Sequence, residues 1–171
     1  MAKEKKNLTE YQRIREENGL TREAACCLLK TISIDRLQRI EYRKTVPTPD
    51  EIIDMATKYK SPALYNYYCS NECPIGKRCI PEIPTKDIAQ IALELLAALK
   101  RASDKKDDFV EIISDGSIEF SEIKKFVEIQ NELEQIAGTV SALQLWCQEM
   151  LASGHIDQTV YQDCKNRSGK K

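Results

Sequence analysis

The stretch Glu17 to Pro49 reads ENGLTREAACCLLKTISIDRLQRIEYRKTVPTP, and its reading decides the fold. Gly19 stops a first helix of roughly Leu8 to Asn18, in which Leu8, Tyr11 and Ile14 share a face. Thr21 then offers a side-chain oxygen to the unpaired N–H groups of a second helix, whose inner face is Ala24, Ala25, Leu28 and Leu29. Beyond Lys30-Thr31-Ile32, Ser33 caps a third helix, with Asp35 near its positive end. Ile34, Leu37 and Ile40 turn inward there, while Asp35, Arg36, Gln38, Arg39 and Arg43 face outward. Two short helices thus meet at a tight connection.

Working outward, Thr45-Val46-Pro47-Thr48-Pro49 is a loop in which Thr48 caps a fourth helix, Pro49 to about Lys60. That helix is expected to bury Ile52, Ile53, Met55 and Ala56, and Ser61-Pro62 opens a fifth, Ala63 to about Cys69. Pro81 and Pro84 mark a boundary, after which Thr85-Lys86-Asp87 begins a long helix to about Ile113. Its seam is Ile88, Ile91, Leu95, Ala98, Ala102, Lys105, Phe109 and Ile112. Asp115-Gly116 turns the chain into a second long helix, Ser121 to Ala152, with a heptad seam of Phe126, Ile129, Leu133, Ile136, Val140, Leu143, Cys147 and Met150. A short turn between two such helices predicts an antiparallel hairpin. Leu96, Leu99, Val127, Leu145 and Trp146 widen the apolar stripe beyond what one partner helix covers, which predicts a homodimer. Folding of the hairpin back onto the front of the chain is the alternative.

The expected organisation is therefore all-α. Residues 1–68 form a helix-turn-helix bundle, 69–84 a Cys/Pro-rich connector, 85–165 the hairpin and 166–171 a disordered tail. Lys3, Lys5 and Lys6 belong to a frayed basic end. No apolar run approaches the roughly 20 residues a membrane span needs, and no apolar segment follows the N-terminus, so the expected location is the cytoplasm. Net charge is −1. Residues 1–62 carry 13 Lys/Arg against 10 Asp/Glu, leaving 13 against 17 in the remainder, a mildly basic front and an acidic back.

Seven cysteines without an export signal argue against a disulfide framework. Cys26, Cys27 and Cys147 read as core. Cys69 and Cys73, one helical turn apart, have three readings: small apolar residues pinning the Pro74-Ile75-Gly76 turn, thiolates that with Cys79 and a fourth ligand hold zinc or an iron–sulfur cluster, or a redox-sensitive pair. No cofactor is expected. The run Asp115 to Glu122 imitates the second half of a calcium loop, but Glu111 and Ile113 stand where its first ligands belong. Ser153-Gly154-His155-Ile156-Asp157 reads as a helix-ending turn with the acid capping the next helix, and gives the sole histidine no partner for catalysis. No nucleophile–base pair or phosphate-binding glycine loop is present, so an enzyme is not expected.

Gly19-Leu20-Thr21-Arg22-Glu23, Ala24-Ala25, Ile32-Ser33, Leu37, Arg39-Ile40-Glu41, Pro49-Asp50-Glu51 and Met55-Ala56 resemble the bacterial XRE (lambda-repressor-like) helix-turn-helix domain, a compact bundle of about five helices. Asn66-Tyr67-Tyr68-Cys69-Ser70, Cys73-Pro74-Ile75-Gly76 and Ile80-Pro81-Glu82-Ile83 extend the likeness to small bacterial helix-turn-helix regulators with an NYYCSxxCPIG segment and a C-terminal helical hairpin. The resemblance implies double-stranded DNA as partner. By position it implies Arg36, Gln38 and Arg39 in the major groove, Ser33 at the start of the reading helix, and Arg22, Arg43 and Lys44 on phosphate. Two features depart from the pattern: the turn Leu29 to Ser33 is one residue longer and lacks glycine, and Asp35 puts a negative charge on the outward face. The expected function is a dimeric DNA-binding transcriptional regulator. A protein–protein adaptor, or a redox- or metal-responsive module without DNA readout, is the alternative.

Overall fold

Capping residues in this sequence do what their chemistry dictates. Thr9, Thr21, Ser33 and Thr48 each accept a hydrogen bond from the backbone N–H three residues on, fixing the starts of α1 (Glu10–Glu17), α2 (Arg22–Leu29), α3 (Ile34–Glu41) and α4 (Pro49–Lys58). Thr48 and Glu51 form a reciprocal capping box. The computed structural model describes residues 8–114 and 116–168. Among them are ten helices and no strand. The basic end at residues 1–6, Asp115 of the calcium-loop look-alike and residues 169–171 lie outside the described residues.

Two compact units divide the chain, Met1–Glu82 with Gln148–Lys171 and Ile83–Cys147. In the first, α2 packs on α3 and α4, α1 on α3, and α5 (Ala63–Asn71) on α1 and α4. Tyr11, Ile14, Ala25, Leu29, Ile32, Leu37, Ile40, Ile52, Met55, Ala56, Tyr59 and Leu64 make one buried cluster. Ala24, Leu28, Ile34 and Ile53, expected inside, are exposed. Each helix is only eight to ten residues long, so its buried stripe is narrow and a fourth apolar position falls beyond it. Cys27 is likewise exposed, whereas Cys26 packs against the core.

A buried ion triad ties three of these helices together. Glu41 of α3, its side chain fully buried, accepts from Arg15 Nε at 2.5 Å and Nη2 at 3.0 Å, and from Arg22 Nε at 2.7 Å. Arg15 also donates to the Leu20 carbonyl at 2.6 Å, and Thr9 Oγ1 to the Glu41 carbonyl at 3.2 Å. All three nitrogens of the buried Arg15 guanidinium thus have an acceptor, the condition under which a buried charge is tolerated.

The chain then turns sharply. Short α6 (Gly76–Cys79) packs on α5, and a β-carbon at Gly76 would lie 2.1 Å from the Cys69 carbonyl oxygen. Only glycine admits that approach. The Gly76 N–H points at Cys73 Sγ at 3.4 Å, and Cys79 Sγ donates to the Ile75 carbonyl at 3.1 Å. Cys69 and Cys73 are half-buried and Cys79 is exposed. No group of three or more His, Cys, Asp or Glu is arranged to hold a metal among the described residues. Nearby, burial raises the carboxyl pKa of Glu72 above the usual glutamate range, against the opposing influence of the Tyr11 hydroxyl and then of the Lys77 and Arg43 charges.

In the second unit, the first long segment is two helices rather than one, α7 (Ile88–Asp104) and α8 (Lys106–Ile113), broken at Lys105. Arg101 pairs with Glu132, Lys105 with Glu128 and Lys125 with Asp108, each at 2.8–2.9 Å, on α9 (Ile123–Ser153). The pairs step up one segment as they step down the other. Ile91, Ala98 and Ile112 of the expected seam are buried, but Ile88 is exposed. On α9 the seam departs from its heptads: Leu133 and Val140 are exposed, and Thr139, Ala142 and Leu145 are buried instead. At 100° per residue Thr139, Ala142 and Leu145 lie roughly 80° to 160° around the helix from Ile129, far more than the roughly 20° per heptad by which a straight helix drifts, so a different face of α9 is buried in its C-terminal half. Leu93, Leu96 and Leu99 on α7 and Val127, Leu133 and Val140 on α9 remain exposed.

After α9, Gly154 adopts a positive φ of 79°, the Ile156 N–H returns to the Met150 carbonyl at 3.1 Å, and Asp157 caps α10 (Gln158–Ser168). Residues 166–168, expected in a disordered tail, end this helix. No helix among the described residues is long and apolar enough to cross a membrane.

Candidate nucleic-acid interface

The connection between α2 and α3 accommodates its missing glycine by strain. Lys30 has φ 58° and ψ −30°, and the Thr31 N–H reaches the Leu29 carbonyl at 2.6 Å, a γ-turn of the unfavourable positive-φ kind. Thr31 Oγ1 bonds Asp54 Oδ2 on α4 at 2.9 Å, so the longer turn is clipped to the next helix. Buried Ile32 follows, and Ser33 starts α3.

Leu37, Ile40 and Glu41 are the buried side of α3. At 100° per residue the opposite side carries Asp35 and Arg39, flanked by Gln38 and Tyr42. All four are exposed. At the C-terminal end the Lys44 N–H bonds the Arg39 carbonyl at 2.8 Å across Arg43, which takes the left-handed position (φ 55°) that glycine usually fills. Arg43 and Lys44 are exposed there.

Three of the expected contact residues have other occupations. Arg36 is held by Glu51 through two bonds of 2.8 Å, by Thr45 Oγ1 at 2.9 Å and by the Val46 carbonyl at 3.1 Å. It staples α3 to the loop and α4 rather than reaching away from the bundle. Arg22 donates to Glu41 and lies 5.0 Å over the Tyr42 ring. Ser33 Oγ accepts from the Arg36 N–H. Gln38, Arg39, Arg43 and Lys44 have no side-chain ion pair or hydrogen bond among the described residues. No family model, curated protein or solved structure matches the chain. The chemistry of this surface is therefore the guide to its role.

The front cations divide by partner. Arg13 pairs with Glu10 and Glu17, Arg15 and Arg22 with Glu41, and Arg36 with Glu51. Among the described residues Arg39, Arg43 and Lys44, at α3 and its exit, have no ion pair, nor do Lys30 before α3 and Lys58 and Lys60 at the end of α4. Asp50, Glu51 and Asp54 instead line an open depression beside the turn with Thr31 and Thr48. Lys58 also lines it and Arg36 neutralises Glu51, so Asp50 and Asp54 are its uncompensated acids. Sequence reading missed Glu41 and Glu51 as anchors. Spacing could have found Glu41, which falls with Leu37 and Ile40 on one stripe, but nothing local announces that Glu51 takes Arg36 from 15 residues away.

Arg36 therefore has a structural role with a measurable signature. Its hydrogen bonds hold the Glu51 carboxyl below the usual glutamate range. A depressed carboxyl contributes stability above its unfolded-state pKa and loses it as pH falls through the folded one. Arg36→Met should cost about 1–2 kcal/mol at pH 7. The gap to wild type in urea midpoints should narrow as pH drops below about 4.

Proposed function

We propose that this chain is a DNA-binding transcriptional regulator, an XRE-type helix-turn-helix protein that binds a two-half-site operator as a cytoplasmic homodimer. The carrying observation is the clustering of unpaired polar and cationic side chains, Gln38, Arg39, Arg43 and Lys44, on one side and one end of α3. The other arginines named above are tied into ion pairs. α3 is itself held by the Glu41 triad and the Arg36–Glu51 staple, so a duplex would meet a preorganised surface. Gln38 and Arg39 would address base edges, and Arg43 and Lys44 the phosphates. The exposed apolar side chains of α7 and α9 support a hairpin whose remaining face is covered by a second copy. Two copies would set the half-site spacing.

The test is binding to the duplex upstream of the protein's own gene against random duplex, across a salt series. Arg39→Ala should lose about 1–3 kcal/mol of discrimination. Arg43→Ala should weaken all duplexes alike and lower the salt slope by about one per subunit. Equal affinity for every duplex would instead favour a protein–protein adaptor, a reading supported by the internal engagement of Arg22 and Arg36 and by exposed Leu28, Ile34 and Ile53. Light scattering of the purified protein tests the dimer, and a concentration-independent monomer would remove it.

A further inference from the structure

We infer that Asp35 is a specificity determinant, selecting a base that offers an amino group in the major groove, cytosine first. This rests on the DNA-binding reading above and goes beyond it, because an outward acid on that helix otherwise looks like a defect. Leu37, Ile40 and Glu41 define the buried side of α3 and put Asp35 opposite them, one turn before Arg39. Asp35 and Arg39 stand four residues apart in the order that favours an acid–base pair along a helix. Among the described residues neither has an ion-pair partner, so both side chains remain open to a ligand. Capping does not require the Asp35 carboxylate either, since Ser33 Oγ already takes the N–H of Arg36.

The chemistry of the groove then assigns its role. A carboxylate only accepts hydrogen bonds. Guanine offers N7 and O6 and thymine O4, all acceptors, whereas cytosine offers its N4 amino group and adenine its N6 amino group beside the acceptor N7. Asp35 would accept from cytosine, tolerate adenine less well and repel guanine, thymine and phosphate. Its position in the first turn of α3 suits it for this, because the N-terminal residues of a reading helix approach base edges most closely. Arg39, about 6 Å further along the axis, would address guanine roughly two base steps away. Asp35 thus lowers affinity for every sequence except the correct one, so it adds specificity by penalising the alternatives.

The experiment selects bound duplexes from a random pool with wild type, Asp35→Ala and Asp35→Asn, after each variant is shown to melt like wild type. Wild type should enrich a motif with cytosine fixed at one position per half-site. Asp35→Ala should lose that preference alone, on the order of tenfold, while its affinity for random duplex rises. Asp35→Asn should move the position toward adenine. If wild type enriches a motif and Asp35→Ala enriches the same one at equal strength, the role given to Asp35 is overturned while the DNA-binding reading stands. If wild type enriches nothing, that reading itself fails.

Discussion

Glu41→Ala is expected to destabilise the front unit by about 3–5 kcal/mol, the usual cost of removing one partner from a buried ion cluster. The Glu41 side chain is fully buried and receives three guanidinium bonds, from Arg15 Nε and Nη2 and from Arg22 Nε. Its removal leaves Arg15, itself only 6% exposed, with no counter-charge nearer than the half-exposed Glu16 carboxylate at 3.6 Å. It also unties α1 and α2 from α3. Urea denaturation followed by far-ultraviolet circular dichroism measures the loss, and a change below about 1 kcal/mol would contradict the triad's role. A triple variant, Arg15→Met, Glu41→Leu, Arg22→Met, separates charge from packing. Apolar replacement of a whole buried cluster is often neutral or better, so the triple variant should recover most of the stability. If the chain binds DNA as proposed, that binding should recover less well, since Arg22 also lies against Tyr42 on the outward side of α3.

Gly76→Ala should be nearly as damaging, at about 3 kcal/mol, the upper end of overpacking. A β-carbon there meets the carbonyl oxygen, carbonyl carbon and α-carbon of Cys69 at 2.1, 2.7 and 3.0 Å. All three are backbone atoms of α5, so no side chain can swing aside and α5 and α6 must separate. Gly138→Ala is the matched control. Gly138 lies within α9 with nothing within 4 Å of its missing β-carbon, so alanine should add up to about 1 kcal/mol of helix stability. Urea midpoints moving in opposite directions for these two changes would bear out the geometry. Equal shifts would contradict it.

These effects mark where local sequence stops being informative. The starts of α2, α3 and α4 were legible because an N-cap acts within three residues of itself, and Thr21, Ser33 and Thr48 all do so. The buried positions at Leu37, Ile40, Ile52 and Met55 followed from helical periodicity for the same reason. Arg36 was not legible: from the helix alone it faces outward, but Glu51 and Val46 lie close enough to capture it only once α3 and α4 have packed. Arg22 lost its expected freedom through Glu41, 19 residues later. On α9 the heptad seam was legible only as far as Ile129, because the buried positions then move to another face of the helix, Thr139, Ala142 and Leu145, which a single repeating stripe does not foresee. The cysteine segment was legible as a packing device only in part. Gly76, not a thiol, is its tightest contact.

The candidate interface is consequently smaller and more sharply defined than the outward face suggests. With Arg22 and Arg36 engaged by Glu41 and Glu51 and Ser33 capping α3, the proposed DNA-binding reading leaves attraction to Arg39, Arg43 and Lys44 and discrimination to Asp35, Gln38 and Arg39. One copy offers three unpaired cations at α3 and its exit, too few for tight binding at physiological salt, since affinity scales with the number of phosphates neutralised. On the proposed reading, tight binding would require two copies on one duplex. Selection of wild-type protein on a random duplex pool at moderate salt tests this most directly. The predicted result is a symmetric motif with two half-sites about one helical turn, or a small multiple of it, apart. Recovery of sequences with no shared motif would contradict it.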